Sequence, residues 1–280
     1  MTNSTQLVLP DDPLPGVRRL TLNRPEKRNA LSNALRSQLF DHLRAGDLDA
    51  GIRVMIIRGA GSCFSAGYDL AQSPGEPLPR HAAFVDGFWS RHVVEGWFEM
   101  WDYATPVIAQ VHGYCLAGGS ELAAAADLLY VAHDAQIGYP PVRLMSPPDM
   151  TWQPWFMGMR RAMEAMLTGD SMTGEQAVEA GFANRSHPAG ELDDAVLAMA
   201  ERVAKIPGDL QALNKRVVHR AMDVMGMRAG IRATADIQAL GFHQSASKSY
   251  LQQLAGPSLT DALIARDAPF SDYSTAKEDS

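Results

Sequence analysis

A chain of 280 residues, 46% of them apolar, can bury a substantial core and is too apolar to stay disordered. A formal charge of −7 and an isoelectric point near 5.6 argue against a general affinity for nucleic acid. No apolar stretch reaches the roughly 18 residues needed to span a bilayer, so no membrane partner is expected.

The amino terminus, MTNSTQLVLPDDPLPG, lacks the layout of a secretory leader. The two cysteines, Cys63 and Cys115, have no second thiol or histidine at metal spacing and read as small buried thiols of a reducing compartment. A cytoplasmic protein is the expectation.

Taken in chain order, VRRLTLN (17–23), VMIIRGA (54–60), PVIAQVHG (106–113) and LLYVA (128–132) are rich in β-branched and aliphatic residues and predict strands. Helical patterns at 32–49, 118–126, 152–167 and 173–180 alternate with them, so the class is α/β. Two proline-rich loops interrupt the alternation, AQSPGEPLPRH (71–81) and GYPPVRLMSPPD (138–149), and the first runs into the aromatic segment FVDGFWSRHVVEGWFEMWDY. From Glu191 onward only helical stripes remain: ELDDAVLAMAERVAKI, DLQALNKRVVHRAMDVM and MRAGIRATADIQALGFHQ, broken at Pro207-Gly208. This divides the chain into a core over 1–206 and a C-terminal helical oligomerisation region over 207–280.

Two glycine-rich turns carry candidate chemistry. GSCFSAGYDL (61–70) leaves one strand through Gly61 and Gly67, and HGYCLAGGSEL (112–122) leaves the next through Gly113, Gly118 and Gly119. A helix start leaves N–H donors without partners and a positive dipole end, so donors from the two turns could converge on one developing negative charge. Packing is the other use of such turns. Neither fits a dinucleotide or phosphate loop. Within CLAGGSELAAAAD (115–127), Glu121 has no lysine or arginine nearby, none occurring between Thr105 and Asp134, and an apolar neighbourhood is expected for it.

Four ordered stretches, NRPEKRNAL (23–31), SCFSAGYDL (62–70), VHGYCLAGGSELAAAADLLYVAHDAQIG (111–138) and LTGDSMTGEQAVEAG (167–181), resemble the enoyl-CoA hydratase/isomerase (crotonase) superfamily. The likeness runs from about Val17 to Ala183, with a looser echo in DALIARDAPF (261–270). It implies a crotonase-like spiral of ββα turns, a C-terminal helical trimerisation layer, a homotrimer or hexamer, and an acyl-CoA thioester substrate. No cofactor is implied beyond the coenzyme A of that substrate.

The same resemblance assigns site residues. The N–H groups of Tyr68 and Gly118 would form the oxyanion hole, with the Tyr68 side chain incidental. Arg24, Lys27 and Arg28 would meet the nucleotide end of coenzyme A, whose phosphates suit Lys and Arg, although on charge alone the triplet is equally a solvated turn. Ala30, Ala66, Asp69 and Leu70 complete the coenzyme A contact. Glu121 matches one of the two family glutamates, where an apolar setting would keep a carboxyl usable near neutral pH; a helix-start acid stabilised by the dipole is the alternative.

The family pattern breaks at AQIGYPPV, where Pro141 stands in place of the second glutamate. Eight residues on, Asp149 matches the aspartate of dienoyl-CoA isomerases and the nucleophilic aspartate of aryl-CoA dehalogenases, and it is equally placed to cap the helix at 152–167. Three functions follow: a double-bond shift or hydration by Glu121 and Asp149, a hydrolase- or dehalogenase-like reaction with Asp149 as nucleophile, or a binding protein without turnover.

Phe84, Phe88, Trp89, Trp97, Phe98 and Trp101, with Met145, Met150 and Met157, could line an acyl pocket or fill ordinary core. His81, His92, His112 and His133 have no paired spacing, and no metal is expected.

Overall fold

The computed structural model describes residues 6–71 and 89–273. The proline-rich stretch 72–81 with His81, the aromatics Phe84 and Phe88, and the side chains of Trp89 and His92 lie outside the described residues.

The main sheet is built from β1 (Val8–Leu14), β2 (Val17–Leu22), β3 (Val54–Gly59), β4 (Val107–Val111), β6 (Leu128–Ala132) and β8 (Arg185–His187), in that spatial order. β1 pairs antiparallel with β2, and every later pairing is parallel. Strands β3 and β4 are buried almost throughout, as parallel strands covered on both faces must be. β1 carries Pro10 and Pro13 and reads as a loop in sequence. It forms because it is an edge strand, where a missing N–H costs no ladder bond on the solvent side.

A second, smaller layer stands behind the first. β5 (Tyr114–Leu116) pairs parallel with β7 (Gln136–Gly138), and single bridges extend the pattern: Leu31 with Tyr68, Ser65 with Cys115, Ile137 with Met172. Each long strand is therefore followed by a short extended piece and then a helix. β2 leads through Leu31 to α1 (Asn33–Leu48), β3 through 65–68 to α2 (Trp89–Asp102), β4 through β5 to α3 (Gly118–Ala125), and β6 through β7 to α4 (Gln153–Thr168). This is the expected ββα spiral, and each turn repeats beside the last.

Helix α1 starts where Ser32 accepts the N–H of Leu35 at 3.1 Å, and it buries Leu35, Leu39 and Leu43 at helical spacing. Arg36 lies among them and is fully buried. The remaining helices are α5 (Gly174–Ala180), α6 (Leu192–Ala204), α7 (Gly208–Val224), α8 (Met227–Gly241), α9 (Ser245–Leu254) and α10 (Leu259–Asp267). Among the described residues no helix is long and apolar enough to cross a membrane.

Ion pairs tie the C-terminal helices to the spiral. Lys215 of α7 is buried, donating to the carbonyl of Met100 at 2.8 Å and lying 2.9 Å from an Asp127 oxygen. Arg228 forks onto Asp102 and Arg232 onto Glu95. Residues 267–273 strap over the short 3-10 turn Pro140–Arg143. Arg143 donates to Asp267 at 3.0 Å, to both Asp272 oxygens, to Asp170 and to the carbonyl of Thr168, and its guanidinium lies 3.9 Å from the centre of the Phe270 ring.

Candidate active site

Two successive turns of the spiral bring Tyr68 and Gly118 together. In the bridge to Leu31, the N–H of Leu31 donates to the Gly67 carbonyl and the N–H of Asp69 donates back to Leu31. The alternation of an extended strand turns the Tyr68 N–H to the opposite side. Gly118 opens α3, so its N–H has no acceptor within the helix. Ala117 before it takes φ 49°, ψ −124°, a strained conformation for a residue with a side chain. It is held there by its own N–H on the Gly138 carbonyl and by its carbonyl, which accepts from Ser120 and Glu121.

Contact between the turns requires glycine at both points. A Cβ on Gly67, which sits at φ 108°, would stand 2.8 Å from Cβ of Ala117, and a Cβ on Gly118 would stand 2.6 Å from the Tyr68 ring. The Tyr68 ring therefore lies against the start of α3.

One helical turn further on, Glu121 is 0% exposed. The Tyr68 hydroxyl donates to its Oε2, and the N–H of Met150 donates to its Oε1 at 3.1 Å. Asp149, 2% exposed, lies against it. Burial first, and then the neighbouring Asp149 charge, push the Glu121 carboxyl well above the usual range; the hydrogen bonds from Tyr68 and from the backbone of Met150 and Asp149 oppose this only in part. Tyr139 is buried beside both acids, and burial with their charge raises its phenol.

The neighbourhood of Glu121 is thus not apolar, as its sequence context suggested. Arg36 reaches it from α1, with Nη2 donating to Asn33 at 2.8 Å and its guanidinium 5.6 Å from the Tyr68 ring centre. Burial works against the guanidinium charge, while Tyr68, Asp149 and Glu121 favour it. Trp97 of α2 donates its Nε1–H to the Tyr68 hydroxyl at 3.3 Å. Trp97, Phe98 and Trp101 are otherwise core residues, as is Met150, while Met145 and Met157 are half-buried.

Asp149 does not cap the following helix. α4 begins at Gln153 after Trp152 and has no side-chain cap, so the capping expectation fails. Pro141 is buried in its 3-10 turn, and its carbonyl accepts from Leu144, Met145 and Ser146. The position resembling the second glutamate is thus a backbone anchor.

The basic loop divides. Arg24 points inward, donating to Asp69 and to the Ala30 carbonyl, both at 2.8 Å. Lys27 and Arg28 are exposed. Arg28 and Asn29 are both left-handed, and buried Asn29 pins the loop through the carbonyls of Ala60 and Cys63 and the N–H of Arg24. The Ala66 N–H donates to the Arg28 carbonyl, so 24–30 and 61–70 form one surface, with Ala30 and Ala66 half-buried and Leu70 exposed. His112 bonds the Gly61 carbonyl and His133 bonds Ser186, each a local tie.

Sequence reasoning missed Arg36, Tyr139, Asn29 and the Tyr68 phenol. Arg36 at the centre of a buried helical stripe is a signal that a charge partner waits inside, and it was available in the pattern of α1.

Comparison with known proteins bears on the whole of this architecture. Residues 14–255 match the family model for enoyl-CoA hydratase/isomerase. The 2,3-dehydroadipyl-CoA hydratase of Escherichia coli (strain K12) is 33% identical over 216 residues, covering 76% of this chain and 81% of that protein. The crystal structure of an enoyl-CoA hydratase/isomerase from Xanthobacter autotrophicus Py2 superposes with a TM-score of 0.85 at 32% identity, over 94% of this chain and 98% of that one. An enoyl-CoA hydratase from Mycobacterium smegmatis superposes with a TM-score of 0.86 at 28% identity, covering 95% of each chain. The matched region takes in both glycine turns, the helix that bears Glu121 and the loop that bears Asp149, and the chain belongs to the enoyl-CoA hydratase/isomerase family, whose enzymes act on acyl-CoA thioesters.

Proposed function

We propose that this chain shifts a carbon–carbon double bond within an acyl-CoA thioester. The N–H groups of Tyr68 and Gly118 hold the thioester oxygen, and Glu121 and Asp149 move the protons. The observation that carries this reading is the burial of Glu121 beside Asp149, with Pro141 where a second glutamate would position water. Two acids forced together cannot both ionise readily, so one tends to hold a proton while the other can accept one. A double-bond shift needs that combination: removal of a proton on one side of an enolate and return of a proton at another carbon. Charge on the enolate oxygen would meet donors already fixed by Ala117 and Gly67, with no reorganisation at the moment of reaction.

Hydration is the second reading, favoured by the hydratase names of the relatives, with Asp149 orienting the water. Lys27 and Arg28 face solvent and suit the phosphates of coenzyme A, whereas Arg24 and Asp69 act on each other and shape the loop. Exposed Leu213, Val217, Val218 and Val224 on α7 and Ile237 and Leu240 on α8 support a homotrimer or hexamer through the C-terminal helices. The buried, unpaired thiols Cys63 and Cys115 fit a cytoplasmic setting.

The test is incubation with 3-enoyl- and 2-enoyl-CoA thioesters in deuterated water. Migration of the double bond with deuterium entering the acyl chain is expected. Faster formation of a hydroxyacyl thioester would favour hydration, and an acyl adduct trapped on Asp149 would overturn the proton-transfer reading.

A further inference from the structure

Glu121 has a difficulty as a proton carrier: nothing of it is exposed. It is 0% exposed, one oxygen is held by the Met150 N–H and the other by the Tyr68 hydroxyl. Tyr68 is partly exposed, and its own N–H belongs to the turn facing Gly118. Of this hydrogen-bonded pair, the residue with any exposure is therefore Tyr68.

Several features hold that phenol in place. Its ring lies over Gly118, where a Cβ would collide at 2.6 Å. Trp97 donates to its oxygen at 3.3 Å, and Arg36 lies 5.6 Å from the ring centre. The charged and titratable groups around the pair come from every side: Arg36 from α1, Asp149 and Tyr139 from the loop after β7, and Glu121 itself from α3.

We propose that the Tyr68 side chain is a catalytic residue, the relay through which Glu121 exchanges protons with the substrate carbon. The proposal rests on the proton-transfer reading above. In the step, the C–H bond beside the thioester breaks, its electron pair enters the enolate, and its proton passes to the Tyr68 oxygen. The phenol proton passes at the same time to Glu121 Oε2. Tyr68 ends neutral, Glu121 ends protonated, and the reverse transfer returns a proton to carbon. Concerted exchange is required because a buried phenolate beside two carboxylates is unfavourable. The resemblance alone made this side chain incidental; its contact with Glu121 gives it a part in the chemistry.

Tyr68→Phe keeps the ring and removes the relay. Its kcat should fall by roughly 10²- to 10⁴-fold, the worth of a general acid or base, and the double variant with Glu121→Gln should be no slower than either single one. In mixtures of light and heavy water the rate of the unaltered protein should curve with deuterium content, because two protons move together. The control against misfolding is 3-fluorotyrosine placed at position 68 in the full chain, which changes phenol acidity with little change of shape. A several-fold change in kcat at constant KM supports the relay. A folded Tyr68→Phe with kcat within about threefold of the original, or an unchanged kcat with fluorotyrosine, overturns it. If Glu121→Gln is inactive in that case, the proton-transfer reading survives without the relay; if Glu121→Gln is fully active, both fall.

Discussion

Helix α3 has an enclosed acid at each end, Glu121 fully buried and Asp127 half-buried, and the two are built in opposite ways. Asp127, just past its C-terminal end, meets Lys215 at 2.9 Å, His219 at 2.8 Å and the Val107 N–H at 2.8 Å. Burial alone would raise its carboxyl, but Lys215, His219 and Val107 together hold it below the usual range. Glu121, in the first turn, is buried against another carboxylate and is pushed up. One arrangement satisfies a charge and fixes α7 to the spiral. The other favours a carboxyl that keeps its proton, the condition on which the proposed proton transfer depends.

Breaking each end should give opposite results. Glu121→Gln should lower turnover by roughly 10²- to 10⁴-fold while leaving the melting temperature unchanged or higher, since it removes a repelled charge. Steady-state kinetics and calorimetry on one preparation check both halves. Gly118→Ala should drive the Tyr68 ring off Glu121 and displace the proposed oxyanion donor, at a cost of about 10²- to 10³-fold in kcat; an unaffected rate would detach the ring contact from function.

At the other end, Asp127→Asn leaves Lys215 buried without its counter-charge and should cost about 3 kcal/mol of stability. Turnover of the folded fraction should stay within a few-fold of the original. Urea unfolding measures the first quantity and kinetics at low temperature the second.

Acidity sharpens the contrast. The stabilising share of Asp127 is complete above about pH 4 and is lost as pH falls through its depressed value. That of Glu121 runs the other way, being complete below about pH 4 and lost as pH rises toward its raised value. Unfolding curves at several pH values should therefore show the Asp127→Asn deficit shrinking on acidification. The benefit of Glu121→Gln should grow between pH 4 and 8.

Lys27→Ala with Arg28→Ala lies away from both ends and should have the smallest effect. KM for acyl-CoA should rise about tenfold, with kcat unchanged, because distant phosphate contacts bind ground and transition states alike.

The sequence made the repeating part of the fold legible. β2, β3, β4 and β6 carry β-branched runs bounded by turn residues, and α1, α3, α4 and α5 begin within a residue of their expected starts. β5, β7 and β8 escaped notice because three residues hold too little pattern, and their pairing is fixed by neighbouring turns. β1 was hidden by prolines that only an edge position tolerates. The site was half legible. Glu121 and Asp149 stand out as acids in apolar or proline-rich settings, but their burial together, with Arg36 arriving from a helix 85 residues earlier than Glu121, is a matter of tertiary packing. Arg24 shows what a charge pattern alone leaves out: its charge suggested a ligand, and in the fold it also pairs with Asp69.

The strap at Arg143 has a consequence for synthesis. The turn that leads into the Asp149 loop is held by Asp267 and Asp272, which leave the ribosome long after Arg143 does. A nascent chain can wind its spiral and pair Ser65 with Cys115 while that guanidinium still lacks these counter-charges. A polypeptide stalled before Asp267 would thus hold the turn ahead of Asp149 through Asp170 and the Thr168 carbonyl alone, and the last anchors of that turn would come from residues far along the chain from Glu121 and Asp149.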